Sequence, residues 1–175
     1  YANPTITMFE QRMAMLEAAI RDEPCLIADD RELKRGGPSY TVDTLESFRD
    51  ELGAEPPVCL LVGADAFAAF GDWHRPLDIL GLAHLVVMQR PGAVTARDPW
   101  TRDQVSQRRV REPDGLRSEP SGRIYFATVT QLDISATRIR RLIINGESPR
   151  YLLPDSVLQL ALQGGCYTQS NADGA

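Results

Sequence analysis

Val58-Cys-Leu-Leu-Val62 is a continuous apolar run of strand length, bounded by Pro56-Pro57 on one side and by Gly63 on the other. Continuous apolar runs of this length are typical of parallel strands that are covered on both faces. Further short apolar runs predict strands of the same kind at residues 24–28, 84–88 and 124–129. We therefore expect these segments to form one parallel sheet.

Helical periodicity fills the intervals between these runs. It predicts helices over residues 7–21, 41–52, 64–70, 76–80, 136–145 and 155–163. The first helix is expected to begin at a capping box, Thr7-Met-Phe-Glu10, and the second to end at Gly53. Strands that alternate with helices predict an α/β fold, a parallel sheet with helices on both faces.

The length of the chain fits one domain, since 175 residues with 43% hydrophobic content can form one well-packed core. We predict a single domain over residues 1–167 and a disordered tail over 168–175. Between Gly92 and Gly122 the periodicity fails and Arg, Asp, Pro and Ser are frequent. This composition predicts a flexible surface loop over about 93–122.

The charge balance narrows the class of partner. A net charge of −5 argues against nucleic acid, because binding to a phosphate backbone needs a surplus of Lys and Arg. No apolar run approaches the roughly 20 residues that span a bilayer, so no membrane association is expected. Cys25 and Cys59 lie in apolar runs and are expected to be buried core residues, which favours a reducing cytoplasm.

The segment Asp133-Ile-Ser-Ala-Thr-Arg-Ile-Arg-Arg141 carries the strongest chemical signal. A helix is expected to start near Ser135, where unpaired backbone N–H groups and the helix dipole favour an anion. Arg138, Arg140 and Arg141 crowd its first turns, and this basic character favours a phosphate ligand. The alternative is that Ser135 only caps the helix and that the arginines are solvated.

Gly63 and Asp65 follow the carboxyl end of the buried run 58–62, the place where open α/β sheets bind their ligands. An aspartate there can accept hydrogen bonds from ribose hydroxyls. The alternative, favoured by spacing alone, is that Asp65 caps the next helix.

Two weaker signals come from a glycine-rich turn and from a tryptophan. The turn Arg35-Gly-Gly-Pro-Ser-Tyr-Thr41 runs into a helix, which Ser39 or Thr41 could simply cap, and it lacks the spacing and the lysine of a P-loop. Trp73 stands in a polar linker, where its indole could stack on a planar heterocycle. The alternative for Trp73 is a partly buried packing residue.

Two catalytic schemes lack their residues in this sequence. His74 and His84 are the only histidines, no Cys or His pair has metal-ligand spacing, and no G-x-S-x-G elbow is present. We therefore predict neither a zinc site nor a Ser-His-Asp hydrolase.

Taken together and in this order, the segments resemble the bacterial nicotinate-nucleotide adenylyltransferases, over nearly the whole chain apart from the stretch before Gly122. The matching pieces are Arg12-Met-Ala-Met-Leu16, Arg31-Glu-Leu33, Gly37-Pro-Ser-Tyr-Thr-Val-Asp-Thr-Leu45, Val62-Gly-Ala-Asp-Ala66, Trp73, Gln89-Arg-Pro-Gly92, Asp133-Ile-Ser-Ala-Thr137 with Arg140, and Tyr151-Leu-Leu-Pro154. Each piece is weak alone, but the combination at these separations is specific.

The resemblance implies a Rossmann-like nucleotidyltransferase fold and a reaction. ATP and nicotinate mononucleotide would react by in-line displacement to give deamido-NAD and pyrophosphate, with Mg²⁺ accompanying the ATP. Enzymes of this kind act mainly by positioning two phosphates and neutralising developing charge. The implied partners are these two small molecules, and the oligomeric state is left open.

The resemblance also implies roles for particular residues. Ser135, Thr137 and Arg140 would hold the ATP phosphates. Asp65 would bind a nucleotide ribose, and Gly63 would let the backbone approach it. Trp73 would stack on the pyridine ring, Tyr40 and Thr41 would line the pocket for its carboxylate, and Arg90 would supply positive charge nearby.

One departure from the family concerns catalysis. The family opens with a strand that leads into a Gly-Thr-Phe-Asp-Pro-x-His-x-Gly-His motif, whose two histidines contact the phosphates during transfer. This chain lacks the motif, and its own histidines stand in other contexts. We therefore expect the native protein to have a segment preceding Tyr1, and the chain as given to be catalytically inactive. Its catalytic residues stay unassigned.

Two other interpretations fit part of the sequence. One is a related adenylyltransferase with another substrate, such as phosphopantetheine, although the Ser-Tyr-Thr segment and Trp73 favour a pyridine substrate. The other is a non-catalytic nucleotide-binding protein that has lost the histidine motif.

Overall fold

The computed structural model describes residues 4–89, 96–130, 132, 134–163 and 167. The chain divides into two compact units, one made of residues 36–131 and the other of residues 1–35 with 132–175. Each unit has buried side chains of its own.

Helices and strands alternate along the chain. In chain order, the elements are α1 (Pro4–Ile20), α2 (Arg31–Arg35), α3 (Thr41–Leu52), β1 (Cys59–Gly63), α4 (Ala64–Phe67), a 3₁₀ turn (Phe70–Asp72), α5 (Pro76–Leu82), β2 (His84–Gln89), α6 (Pro99–Arg108), β3 (Arg109–Val110), a second 3₁₀ turn (Pro113–Leu116), β4 (Ile124–Thr128), α7 (Ala136–Ile144) and α8 (Asp155–Gln163).

The sheet belongs to unit 36–131. Its four strands are all parallel and lie in the order β1-β2-β4-β3. In register, Leu61 of β1 lies opposite Val86 of β2, which in turn lies opposite Tyr125 of β4. The predicted α/β fold with a parallel sheet is thus confirmed, and so are the strands predicted from the apolar runs at 58–62, 84–88 and 124–129.

The core of this unit gathers around β2 and β4, the two inner strands of the sheet. Leu85 and Val87 of β2 and Ile124 of β4 are fully buried, as are the aromatic rings of Phe67 and Phe70. The two phenylalanine rings stack with their centroids 5.9 Å apart. The continuous apolar runs of β2 and β4 therefore correspond to strands in the covered part of the sheet, whereas in β1 only Val62 is buried and Leu61 is 59% exposed.

The prediction of a buried strand at residues 24–28 is wrong. The segment contains no strand, and Leu26 and Ile27 are 56% and 89% exposed. Its backbone instead continues in tight turns after α1, since Glu23 N–H donates to the Ile20 carbonyl and Leu26 N–H to the Glu23 carbonyl. Among the described residues no strand pairs with it, and an apolar run without a neighbouring strand has no ladder to join.

The two cysteines expected in the core are both exposed. Cys25 lies in these turns. Cys59 is the first residue of β1, which forms one edge of the sheet among the described residues. Side chains alternate between the two faces along a strand. The apolar residues next to Cys59 in the sequence therefore do not determine whether its own side chain is buried.

The flexible loop predicted over about 93–122 is also corrected, because much of this stretch forms regular structure. Asp98 caps α6, its Oδ1 accepting from Thr101 N–H at 2.7 Å, and Pro99 follows as the first helical residue. That hydrogen bond is the main reason that the pKa of Asp98 lies below its usual range. α6 is polar on most sides, so helical periodicity could not reveal it, whereas the Asp-Pro start is a helix signal.

The side chains of Arg49 and His84 form hydrogen bonds that connect the region around residue 120 to the sheet and its helices. Arg49 of α3 donates to the Leu82 carbonyl at 2.6 and 2.8 Å, to the Pro120 carbonyl at 2.8 Å and to the Pro56 carbonyl at 2.7 Å. His84 is fully buried, with Nε2 2.8 Å from the Glu119 carbonyl and Nδ1 accepting from Arg123 N–H. These bonds satisfy carbonyls that no helix or strand uses.

In unit 1–35 with 132–175, α1 packs against α8. Ala18, Leu158 and Ala161 are buried, and the Ser156 hydroxyl donates to the Ala18 carbonyl at 3.3 Å. α1 begins at Pro4, so the capping box predicted at Thr7 lies inside the helix and does not start it. Within the described part of the chain, no helix is long and apolar enough to cross a membrane.

Candidate functional site

A pocket of about 210 Å³ lies in unit 36–131 and is lined by Ser39, Tyr40, Thr41, Trp73, His74 and Ile79. It brings together three residues that the sequence assigned to one pyridine site: Tyr40, Thr41 and Trp73. For scale, an apolar cavity of roughly 150 Å³ holds a benzene molecule. The pocket therefore has room for one substituted aromatic ring.

Trp73 forms one wall and is held by packing behind it. Its ring meets Phe70 edge to face, with the centroids 5.5 Å apart, and the indole is half-buried. The packing interpretation of Trp73 is thus correct for one side of the ring, while another part of the residue lines the pocket. An aromatic wall that is fixed on one side can stack a planar ligand at little entropic cost.

The amino end of α3 forms another wall. Tyr40 precedes the helix in an extended conformation, and no side chain caps it, so the capping interpretation of Ser39 and Thr41 is wrong. The backbone N–H groups of Asp43 and Thr44 donate the first hydrogen bonds of the helix, both to the Tyr40 carbonyl. Among the described residues, the N–H groups of Thr41 and Val42 have no acceptor, and such an end favours a negatively charged group.

His74 is a pocket residue that the sequence analysis did not assign. Its imidazole lies against the Tyr40 ring, with centroids 4.2 Å apart and a tilt of 33°. The signal that could have identified it is its position beside Trp73, in the same linker. Its other neighbour, Arg75, bonds to Glu46 at 2.9 Å and to Asp78 at 2.6 Å. The hydrogen bonds to Asp78 and then to Glu46 raise the pKa of Arg75.

Gly63 and Asp65 lie where the sequence predicts, at the carboxyl end of β1 and in the first turn of α4. Gly63 itself is the residue that precedes α4, so the interpretation of Asp65 as the cap is wrong. The Asp65 side chain is exposed. Neither Gly63 nor Asp65 lines the pocket around Trp73. A ligand that contacts both residues would bind at the carboxyl end of β1.

The phosphate segment lies in the other unit and begins α7. Ser135 is the cap of this helix, its Oγ accepting from Arg138 N–H at 3.2 Å, so the capping interpretation is correct. Arg140 Nη2 lies 3.4 Å from the Thr137 hydroxyl, and both side chains are exposed. Arg140 and Arg141 have no acidic partner among the described residues, and the N–H groups of Ala136 and Thr137 have no acceptor there.

These features of α7 can bind an anion as well as complete a helix. A serine that caps with its oxygen still has its own O–H to donate, and the first-turn N–H groups point outward from the helix end. Arg90 lies outside the described residues, as does Asp133. In the part of the chain that is described, no group of three or more His, Cys, Asp or Glu could hold a metal ion.

Comparison with known proteins gives the same family in two ways. The profile of the cytidylyltransferase-like family matches residues 2–142. A protein of Methylococcus capsulatus is 46% identical over 95% of this chain and 79% of its own length, and one of Pseudomonas syringae pv. tomato is 42% identical over 98% and 77%. Both carry the name "Probable nicotinate-nucleotide adenylyltransferase".

Solved structures agree on the fold. Plasmodium falciparum nicotinic acid mononucleotide adenylyltransferase, complexed with APC, superposes with a TM-score of 0.61 over 91% of this chain and 75% of that one, at 14% identity. The same enzyme complexed with NaAD gives the same score. The parallel sheet of unit 36–131 is thus the nucleotidyltransferase sheet. With relatives above 40% identity along almost its full length, the chain belongs to the nicotinate-nucleotide adenylyltransferases of the cytidylyltransferase-like family.

Proposed function

We propose that this protein transfers AMP from ATP to nicotinate mononucleotide, giving deamido-NAD and pyrophosphate in the biosynthesis of NAD. The observation that carries the proposal is the pocket of unit 36–131. Tyr40, Thr41 and Trp73 come from two separate segments of the chain, and they line one space of the right size for a pyridine ring. Relatives that share this chain's family carry the name of the same activity.

The pocket supplies what a pyridine carboxylate needs. The Trp73 indole offers a face for the ring, and the amino end of α3 with the hydroxyls of Tyr40 and Thr41 offers donors for the ring's carboxylate. Arg90 lies outside the described residues, and the role proposed for it, a source of positive charge for the carboxylate, rests on the family resemblance alone.

Each of the two units carries residues that we assign to the binding of ATP. Asp65 accepts from a ribose hydroxyl, and Gly63 lets the backbone approach the nucleotide. Ser135, Thr137 and Arg140 bind the phosphates, with the first-turn N–H groups of α7 and a guanidinium that no described carboxylate neutralises. A magnesium ion enters as part of the substrate, bound to the ATP phosphates.

The reaction itself is a substitution at phosphorus. A phosphate oxygen of nicotinate mononucleotide attacks the α-phosphorus of ATP and forms the new P–O bond. The bond from that phosphorus to the oxygen that bridges to the β-phosphate breaks, and pyrophosphate leaves with the electron pair. Positive charge near the phosphates lowers the barrier by stabilising the charge that develops on the leaving group. A cytoplasmic location is part of the proposal.

The test is pyrophosphate release from ATP with nicotinate mononucleotide. It should be run on Tyr1–Ala175 and, in parallel, on the protein made from the start codon of its own reading frame. Equilibrium binding of nicotinate mononucleotide and of a non-hydrolysable ATP analogue should be measured on the same samples. We expect both samples to bind the mononucleotide, and at least the protein from the start codon to release pyrophosphate.

A matched pair of variants ties the activity to the pocket. Trp73→Ala should weaken binding of nicotinate mononucleotide by about tenfold or more, because a stacking face worth roughly 1–3 kcal/mol per base is lost. Trp100→Ala removes the other tryptophan, whose ring packs on Phe70 with centroids 6.1 Å apart but does not line the pocket. If the protein from the start codon releases no pyrophosphate while both samples bind nucleotide, the chain is a nucleotide-binding protein and the proposal fails.

A further inference from the structure

The turn that carries Trp73 packs against the first residues of α6. Trp73 directly follows the 3₁₀ turn Phe70–Asp72, and its backbone N–H donates to the Phe70 carbonyl at 3.1 Å. The buried ring of Phe70 contacts both indoles, that of Trp73 edge to face at 5.5 Å and that of Trp100 in a stack at 6.1 Å. The pocket wall that Trp73 provides is therefore connected, through Phe70, to the start of α6.

A second contact joins the turn to α6, between Gly71 and Asp98. A Cβ added to Gly71 would lie 2.7 Å from Asp98 Oδ2 and 2.9 Å from Oδ1, so the carboxylate occupies the space that a side chain at this position would need. Gly71 does not have a positive φ, and its backbone conformation therefore does not require glycine. The close approach of Asp98 is the reason that the turn has a glycine here.

The Asp98 carboxylate has a defined place because it also caps α6. Its Oδ1 accepts from Thr101 N–H at 2.7 Å, and Thr101 is fully buried. The adjacent Arg97 N–H donates to the Ala68 carbonyl at 3.1 Å, which joins the same segment to the residues before the turn. One carboxylate thus starts α6 and packs against the backbone of the turn that leads to Trp73.

An effect of this contact on a ligand must pass through Trp73, because neither Gly71 nor Asp98 lines the pocket. An aromatic wall binds a planar ring most tightly when its orientation is set in advance, since otherwise the ligand must order it. The turn before Trp73 and the Phe70 ring beside it both contact α6. The orientation of the wall therefore depends on how α6 packs against the turn.

We propose that Asp98 is a positioning residue of the pocket: its carboxylate, packed against Gly71, fixes the turn before Trp73 and so sets in advance the indole that stacks on the ring of the ligand. This inference rests on the proposed function where it concerns the ligand, since it assumes that the pocket receives the pyridine ring. It adds to that function a residue outside the pocket on which the affinity of the pocket depends.

The first measurement is the affinity for nicotinate mononucleotide, by isothermal titration calorimetry at a temperature where every variant is folded. Asp98→Ala removes the carboxylate, and Gly71→Ala displaces it with a Cβ. Both should weaken binding about threefold to tenfold, because the ligand must then order the indole itself. Asp98→Asn keeps the shape of the side chain and its ability to cap, so it should retain the affinity within about twofold. Affinity for a non-hydrolysable ATP analogue should not change in any variant.

Gly115→Ala is the matched control for a merely structural effect. A Cβ added there would lie 3.0 Å from the Val110 Cβ, so it also crowds a 3₁₀ turn of the same unit, but neither of these residues lines the pocket. This variant should lower Tm, as Gly71→Ala does, and leave the affinity for nicotinate mononucleotide unchanged.

The second measurement observes Trp73 without any ligand. The chain has two tryptophans, so its ¹H–¹⁵N correlation spectrum contains two indole N–H signals, which Trp100→Phe assigns. The Trp73 signal should shift or broaden in Asp98→Ala and in Gly71→Ala, because an indole that is no longer fixed exchanges between orientations. It should stay in place in Asp98→Asn and in Gly115→Ala.

The inference is overturned if Asp98→Ala and Gly71→Ala keep the affinity of the unmodified chain, if Gly115→Ala weakens binding as much as Gly71→Ala does, or if the Trp73 signal does not change. An equal loss in Asp98→Asn and Asp98→Ala also overturns it, because charge and not packing would then be responsible. If the unmodified chain does not bind nicotinate mononucleotide, the proposed function fails, while the Trp73 signal still decides whether Asp98 positions the indole.

Discussion

At the scale of single residues, Gly63 is a glycine whose identity the described fold does not explain. Its backbone angles, φ −70° and ψ 152°, are ordinary for any residue. An added Cβ would have no described atom within 4 Å. Neither conformation nor packing among these residues requires a glycine here, so the close approach of a ligand to the backbone is the remaining reason in our proposal.

This reasoning predicts the effect of Gly63→Ala. The free energy of unfolding should change by less than about 1 kcal/mol, because the site is open and unstrained. Affinity for a non-hydrolysable ATP analogue should fall by about tenfold or more, since a Cβ would keep the nucleotide away from the backbone. Chemical denaturation and calorimetry measure the two quantities on the same sample.

The matched control is Gly81→Ala. A Cβ added at Gly81 would also meet no described atom within 4 Å, but this glycine lies in α5 and does not line the pocket. Alanine there should slightly stabilise the helix and leave nucleotide affinity unchanged. An unchanged affinity in both variants would remove Gly63 from the proposed ATP site.

At the scale of elements, the sequence predicted those segments whose pattern and surroundings agree. The continuous apolar runs that became β1, β2 and β4 have strand neighbours, and α3 has both an apolar face and Gly53, at φ 83°, as its end. The run at 24–28 is also mostly apolar but has no neighbouring strand among the described residues. Strand formation is decided by a partner, which a local pattern does not contain.

The residues of the pocket could be predicted from the sequence only where they belong to segments that resemble the family. The resemblance assigns Tyr40, Thr41 and Trp73 to one pocket, and in the structure all three line the same one. Their binding roles remain predictions. His74 was not assigned, because its contact with Tyr40 spans 34 positions of sequence and leaves no local trace. The helix α6 was missed because its polar faces hide the periodicity.

Arg49 offers a test of how α3 is fixed to the sheet. Its guanidinium donates to the carbonyls of Leu82, Pro120 and Pro56, at distances between 2.6 and 2.8 Å. Arg49→Ala should lower the free energy of unfolding by about 2–4 kcal/mol, because several charge-assisted hydrogen bonds are lost and the carbonyls are left without a donor. Urea denaturation measures the loss.

The control for Arg49 is Arg49→Lys, which keeps the charge. An ammonium group cannot reach three separated carbonyls as a planar guanidinium does, so most of the loss should persist. Full recovery of stability in Arg49→Lys would show that charge, and not the geometry of the donors, holds this region.

At the scale of the whole molecule, ligand binding should raise thermal stability according to which ligand the pocket accepts. A ligand at 100 times its Kd stabilises by about 2.7 kcal/mol if it binds only the folded state. In a domain of this size that corresponds to roughly 5–10 °C in Tm. We expect a shift of this size with nicotinate mononucleotide and none with phosphopantetheine, measured by differential scanning fluorimetry.

Ribose 5-phosphate is the matched control for that measurement, because it carries a phosphate group but no pyridine ring. Any stabilisation that comes from the phosphate alone should appear equally with this compound. A shift with phosphopantetheine and none with nicotinate mononucleotide would favour the related adenylyltransferase with another substrate. Equal shifts with all three compounds would show that the pocket does not select a pyridine.

The arrangement of the two tryptophans around Phe70 gives the protein a built-in optical reporter. Trp73 and Trp100 lie 5.5 and 6.1 Å from that ring, and Trp73 is the one that lines the pocket. Replacing Trp100 by phenylalanine would leave a single emitting indole at the proposed ring site. Binding of a ligand to the pocket could then be followed in real time, without a label, by the quenching of Trp73 fluorescence.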